Sequence, residues 1–209
     1  MGRSPAFCGV ILAAGDSSRM GQPKALLPWR GGTILSGAIR VLNAFTDLVI
    51  VVAGKHVEQI RPIADANAAF LAVNPKPERG QFSSLQIGVQ EVLNRGRDAA
   101  IITLVDRPPA RPETVKHLKD EFLVRVDQNI WSAVPEFEGK HGHPYIVGRE
   151  LIGRYLDALA TANAREIHHA NQNRIVYVPV TDPFVTANLD TPEDYAQFCA
   201  AHPETTLAR

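Results

Sequence analysis

Apolar residues recur along this chain in two rhythms. Short unbroken apolar runs that close on a small or polar residue alternate with longer stretches in which apolar positions return every three or four residues. The first is the rhythm of parallel strands buried on both faces, the second that of helices laid against them. Phe7 to Ala14 is the first strand. Thr33 to Phe45 is a helix, with Ile34, Ala38, Val41, Leu42 and Phe45 on one face and Thr33 as N-cap. Asp47 to Gly54 is a buried strand, Val57 to Ala66 a helix, Phe70 to Val73 a short strand and Phe82 to Leu93 a helix. Asp98 to Asp106 is a further buried strand that terminates in a carboxylate, ahead of Arg107-Pro108-Pro109. This alternation, which lasts to about Val126, predicts a three-layer α/β/α fold around a mostly parallel sheet with right-handed crossovers.

Beyond Val126 the rhythm changes. Ile130 to Pro135 is a strand, Glu136 to Lys140 a turn and His141 to Val147 a returning strand, which together predict a small β-hairpin subdomain laid over the sheet edge. Glu150 to Ala160 and Ala164 to Ala170 are helical, and Arg174 to Val180 is a strand. Thr191 as N-cap, Pro192 at the first helical position and acidic residues behind them open a last helix. The tail after His202 is expected to be frayed or an interface arm.

Composition narrows the function classes. The 209 residues suit one domain, and 22 basic residues balance 22 acidic ones, so any anion site is local. Neither a nucleic-acid nor a membrane partner is expected. No apolar run is long enough to cross a bilayer, and the N-terminus runs into a strand instead of a signal peptide. Cys8 and Cys199 have neither disulfide nor metal-site spacing and are expected to be buried thiols in a reducing cytoplasm. His141, His168 and His169 lack the further ligands that a zinc site needs.

The chemistry concentrates where the first strand ends, in Leu12-Ala13-Ala14-Gly15-Asp16-Ser17-Ser18-Arg19-Met20-Gly21-Gln22-Pro23-Lys24. Gly15 and Gly21 are expected to take positive φ and let successive amides point at one anion, to which Arg19 and Lys24 add charge. Five residues separate Gly15 from Gly21 and Gln22 follows, so this is not a Walker A loop; the dinucleotide fingerprint is absent too. Asp106, at the carboxyl end of its strand, lies where open α/β sheets collect ligands, although an Asp before proline also starts ordinary turns. Ser83 and Ser84 either cap their helix or face a bound phosphate. His143 is either structural or at the mouth of the cleft.

The glycine stretch resembles the signature L-A-A-G-x-S-x-R-M-G-x-P-K of the MobA-like nucleotidyltransferases, with every defined position matched. Three further motifs follow in the family's order: Asn74-Pro75 with Gly80, Ser83, Ser84 and Leu85; Leu104, Asp106 and Pro108; and Asp190 with Thr191-Pro192. The resemblance runs from Val10 to Tyr195 and implies a Rossmann-like nucleotidyltransferase fold over 1–209, with a nucleotide-binding half at 7–126 and an acceptor-side, metal-ligand half at 127–200. It implies nucleotide contacts from Leu12, Ala13, Ala14, Gly15, Arg19, Lys24, Asn74 and Ser84, catalytic roles for Arg19, Lys24 and Asp106, Mg²⁺ on Asp106 and Asp190, and an acceptor contact from His143.

Ala14 with Pro23 is similar to the cytidylyl-transferring branch, which joins the CMP part of CTP to a molybdopterin-type acceptor and implies hand-off to a molybdenum hydroxylase. Arg107 departs from the glutamine of that branch, and Asn188 stands where many relatives have Asp. Two rivals are a sugar-1-phosphate nucleotidyltransferase of the same fold and a non-catalytic molybdopterin carrier. Pyrophosphate release separates the carrier from the enzymes, and acceptor choice separates the enzymes.

Overall fold

The computed structural model describes residues 5–159 and 161–205. In chain order they form β1 (Phe7–Ala13), β2 (Pro28–Trp29), β3 (Gly32–Thr33), α1 (Ile34–Asn43), β4 (Leu48–Ala53), α2 (Val57–Ala66), β5 (Phe70–Val73) and α3 (Gln81–Asn94). Then come β6 (Ala99–Leu104), α4 (Pro112–Arg125), β7 (Ser132–Phe137), β8 (Lys140–His141) and β9 (Tyr145–Gly148). The last are α5 (Arg149–Asp157), α6 (Ala164–Ala170), β10 (Ile175–Pro179) and α7 (Pro192–Ala201), with short 3₁₀ turns between elements.

Strand β1 is buried along its whole length, and its alternating side chains feed two interior layers. Phe7, Ile11 and Ala13 pack with Leu35 and Ile39 of α1, Ile60 of α2 and Leu118 and Phe122 of α4. Cys8, Val10 and Leu12 pack with Leu85 and Val89 of α3 and Leu151 and Tyr155 of α5 on the opposite face, as the two-residue period of a strand requires. These are the three layers expected from the sequence. The sheet runs β10-β7-β9-β6-β1-β4-β5, with β8 paired to β7. Its pairs are parallel except the two that β9 makes, with β6 and with β7, and the β7–β8 pair.

The 130–147 segment is not laid over the sheet edge. It is built into the sheet, because β9 is buried along its whole length and needs strand neighbours for its backbone on both sides. The hairpin turn itself is present: Glu138 (φ 50°) and Gly139 (φ 73°) join β7 to β8. The helix expected over 150–160 ends at Asp157, and Ala160 lies outside the described residues. In the tail the Thr205 carbonyl accepts from Arg30 N at 2.6 Å; 1–4 and 206–209 lie outside the described residues. Cys8 is buried, which pushes its thiol up to about 12, whereas Cys199 is only partly buried. Among the described residues no helix is long and apolar enough to cross a membrane.

A third cluster fixes the site. Met20 of the glycine loop, Leu27, Trp29, Ile34, Phe184 and Leu189 are buried together, with Tyr195 and Phe198 of α7 packed on them. It joins the residues after β1 to those after β10. Tyr195 Oη also donates to Pro28 O at 2.7 Å, which ties α7 to β2.

Helix α3 lies close to the sheet because residue 88 is glycine. A Cβ there would stand 2.7 Å from Val10 Cγ1 and 3.1 Å from Val52 Cγ2, both on buried β-branched side chains. Gly88→Val is therefore expected to destabilise the fold by about 3 kcal/mol, the upper end for overpacking, read as a lower urea midpoint at unchanged slope. A midpoint equal to wild type would mean that α3 is free to move outward.

Candidate active site

The register Leu12↔Leu104 leaves β1 and β6 ending level, with Val105 N donating to Leu12 O at 3.2 Å. The two loops that follow therefore leave the same sheet edge side by side. Between them lies a cavity of about 360 Å³, lined by Leu12, Ala14, Gly15, Arg19, Lys24, Ser84, Asp106 and Asp190 among others. Of the residues singled out in the sequence, these eight converge. The left-handed positions of the loop are Ser17 (φ 50°) and Gly21 (φ 72°), not Gly15. Ser17 closes the turn, its carbonyl accepting from Met20 N at 3.0 Å and its Oγ from Lys24 N at 3.2 Å.

Lys24 is buried, and its Nζ donates to Asp190 Oδ1 at 2.7 Å; the exposed Arg19 reaches the same oxygen at 3.2 Å. Leu189 N donates to Asp106 O at 2.8 Å, so the segment bearing Asp190 is sewn to the one bearing Asp106. The Lys24 hydrogen bond, helped by the charges of Lys24, Arg19 and Arg107, holds the Asp190 carboxyl below its ordinary 3.8 against the opposing effect of burial. Asp106 Oδ1 is buried with no hydrogen-bond partner. A buried, unpaired carboxylate oxygen is costly unless something cationic meets it.

Three singled-out residues do not line the cavity. Ala13 turns into the core beneath α1 and α2. Asn74 is buried, donating through Nδ2 to Ser83 Oγ and Ser84 Oγ, both at 2.9 Å, and accepting from Lys76 N through Oδ1 at 2.9 Å. It holds the serines in place. They do not cap α3, whose N-cap is Gly80 with no side-chain cap hydrogen bond. His143 packs edge-on against Tyr145 with ring centroids 5.1 Å apart, and its Nδ1 is buried and unpaired. Burial, with the charges of Arg107 and His168, pushes its imidazole down to about 3 and leaves it neutral at pH 7.

The sequence reading passed over Asp16, Ser18, Pro77 and Gln81, which also line the cavity. Asp16 pairs with Lys55 at 2.8 Å, a contact whose only sequence signal is that Lys55 follows the glycine closing β4. Among the described residues no three His, Cys, Asp or Glu side chains gather as a metal group; the carboxylates that line the cavity are those of Asp16, Asp106 and Asp190. Mg²⁺ sites of that kind complete their shell with waters and substrate phosphates, and the unpaired Asp106 oxygen fits such a cation.

A glycine loop with two cations, facing two carboxylates at the carboxyl edge of an α/β sheet, defines a site for phosphate groups. Residues 9–175 match the family described as the MobA-like NTP transferase domain, and the chain belongs to that family of nucleotidyltransferases. It is 27% identical over 187 residues to molybdenum cofactor cytidylyltransferase of Escherichia coli, covering 89% of this chain and 92% of that one. It is 30% identical over 202 residues to the purine catabolism protein PucB of Bacillus subtilis, covering 92% and 96%. The crystal structure of Rv0371c from Mycobacterium tuberculosis is similar at a TM-score of 0.77 and 26% identity, covering 93% and 97%, and Rv0371c has also been solved in complex with manganese.

Lys24→Met is expected to raise the Asp190 pKa toward 3.8, read by NMR titration of its carboxyl carbon. Because the folded value is depressed, the pair contributes stability above about pH 4 that is lost as pH falls through that folded value. The stability gap between wild type and variant should therefore stay constant from pH 7 to about pH 4 and narrow as pH falls below it. An unmoved Asp190 pKa would show that Lys24 is not what depresses it.

Proposed function

We propose that the chain moves the CMP part of CTP onto a phosphate of a molybdopterin-type acceptor, with release of pyrophosphate. The observation that carries this reading is the convergence of Asp106 and Asp190 with Arg19 and Lys24 on one cavity, Asp106 Oδ1 having no hydrogen-bond partner. Phosphate transfer of this kind needs alignment and charge neutralisation more than covalent chemistry, and the cavity has groups for both.

In this reading the glycine-loop amides, Arg19 and Lys24 hold the triphosphate. Ser84, fixed by Asn74, borders it from the start of α3. Leu12 and Ala14 flank the base, where the Ala14 methyl narrows the pocket toward a pyrimidine. Asp106 and Asp190 would hold Mg²⁺, which when bound neutralises phosphate charge. An anionic acceptor oxygen attacks the α-phosphorus and forms the new P–O bond. The bond from that phosphorus to the bridging oxygen breaks, and pyrophosphate leaves with the electron pair while Arg19 and Lys24 stabilise its charge. The acceptor needs no general base, since its phosphate is already ionised. The product would pass to a molybdenum hydroxylase in the cytoplasm. The length-wide likeness to the cytidylyltransferase supports the base and acceptor, and the manganese complex of Rv0371c supports the divalent cation.

The test is pyrophosphate release with Mg²⁺, Mo-molybdopterin and CTP, GTP, UTP or ATP in turn. CTP is expected to be preferred, and Asp106→Ala to lose about a hundredfold in rate, roughly 3 kcal/mol of transition-state stabilisation. Preference for another triphosphate would overturn the base, and turnover only with sugar phosphates the acceptor. Tight pterin binding without any release would mean a carrier.

A further inference from the structure

Asp106 and Asp190 sit on loops, and the two loops share one anchor that lies outside the cavity. Asp182, in the turn after β10, is 1% exposed. Its Oδ2 accepts from Arg111 N at 2.8 Å and from Thr114 Oγ1 at 3.0 Å, and its Oδ1 accepts from Phe184 N at 3.1 Å. Arg111 Nε approaches the same Oδ1 at 3.8 Å. Arg111 is the N-cap of α4 but makes no side-chain cap bond; a carboxylate 71 residues away accepts from its amide and from the Thr114 hydroxyl in the first turn.

The placement matters because of what lies on either side. The chain from β6 to α4 carries Asp106 and is held at one end by the sheet and at the other by Asp182. The chain from Asp182 to α7 carries Asp190 and starts at the same carboxylate. Between them, Arg107 Nη1 donates to Ala187 O at 3.2 Å and Leu189 N to Asp106 O at 2.8 Å. Gly142 lets the β8–β9 connection close on the same segment: a Cβ there would stand 2.0 Å from Val185 O, and His143 N donates to Val185 O at 2.8 Å.

We propose that Asp182 is a positioning residue of the active site, fixing the two carboxylate-bearing loops against each other so that Asp106 and Asp190 meet the same cation and the same triphosphate. The inference rests on the nucleotidyltransferase reading of the cavity. Asp182 touches no reacting atom, and the glycine loop, which grips the triphosphate, is anchored on β1 and meets Asp182 only indirectly, through the cluster in which Phe184 and Met20 are buried.

Asp182→Asn is the test, because an amide cannot serve all three donors. With its nitrogen in place of Oδ2, Arg111 N and Thr114 Oγ1 lose their acceptor; with it in place of Oδ1, Phe184 N does. Mn²⁺ affinity, read by electron paramagnetic resonance with CTP and no acceptor, is expected to weaken by about tenfold or more, and kcat for pyrophosphate release to fall by a similar factor. CTP affinity measured in EDTA should stay within about twofold, since metal-free binding draws on the glycine loop. Thr114→Val, which removes one donor, should move Mn²⁺ affinity and kcat the same way by a smaller factor. Ile60→Val, a destabilising change in α2 remote from both loops, should move neither. Wild-type Mn²⁺ affinity and kcat in a folded Asp182→Asn protein would overturn the positioning role alone. An equal loss in Ile60→Val would overturn it too, by reducing the effect to general stability. Wild-type protein that neither binds Mn²⁺ with CTP nor releases pyrophosphate would take down the reading of the cavity and this inference with it.

Discussion

The bond from Lys24 Nζ to Asp190 Oδ1 joins residues 166 positions apart, and the shape of the cavity follows from it. Lys24 has only 10% of its side chain exposed, so its ammonium group is held largely out of water. A charge in that position needs a partner, and leaving it alone would cost more than the pair returns in attraction. The partner therefore has to be delivered accurately. The cluster of Met20, Leu27, Trp29, Ile34, Phe184 and Leu189 does this, since it buries one apolar residue from the loop bearing Lys24 and another beside Asp190 in the same small core. Hydrophobic burial supplies the driving force, and the ion pair fixes the register.

That division of labour explains what was legible in the sequence. Strands β1, β4 and β6 read correctly because residues buried on both faces form continuous apolar runs, whereas the two-residue strands β2 and β3 carry no such run and were missed; α1 and α7 read correctly because Thr33 and Thr191 form capping boxes with Ser36 and Asp194. The glycine loop and Asp106 were legible because strand-end chemistry is local. Sheet order after β6 was not. Nothing local in Ser132–Phe137 says that it pairs with Ile175–Pro179 some forty residues on, so β7 and β9 looked like an accessory hairpin. Asn74 was visible as a polar residue ending a strand, but its part in holding Ser83 and Ser84 depends on how closely α3 lies on the sheet, which Gly88 sets. Asp182 gave no signal at all, because its partners Arg111 and Thr114 precede it by about 70 residues.

The charges in and beside the cavity carry the argument from fold to chemistry. The chain as a whole has 22 basic and 22 acidic residues, so no general field draws an anion to this edge of the sheet. The local balance is different. Arg19 and Lys24 converge on Asp190, and Arg107, whose guanidinium is pushed down by burial and pulled up by Asp106 and Asp190, lies against the same pair of carboxylates. With Lys55 paired to Asp16, four cations stand in and beside the cavity against the carboxylates of Asp16, Asp106 and Asp190, in a partly desolvated space where each interaction is stronger than in water. Such a site favours a polyanion. A triphosphate drawing Arg19 and Lys24 onto its oxygens would release Asp190 for a divalent cation, so nucleotide and metal favour one another through a carboxylate that neither could use as well alone. In the proposed reaction this coupling makes the assembled site, not the empty one, the state in which Asp106 and Asp190 act together.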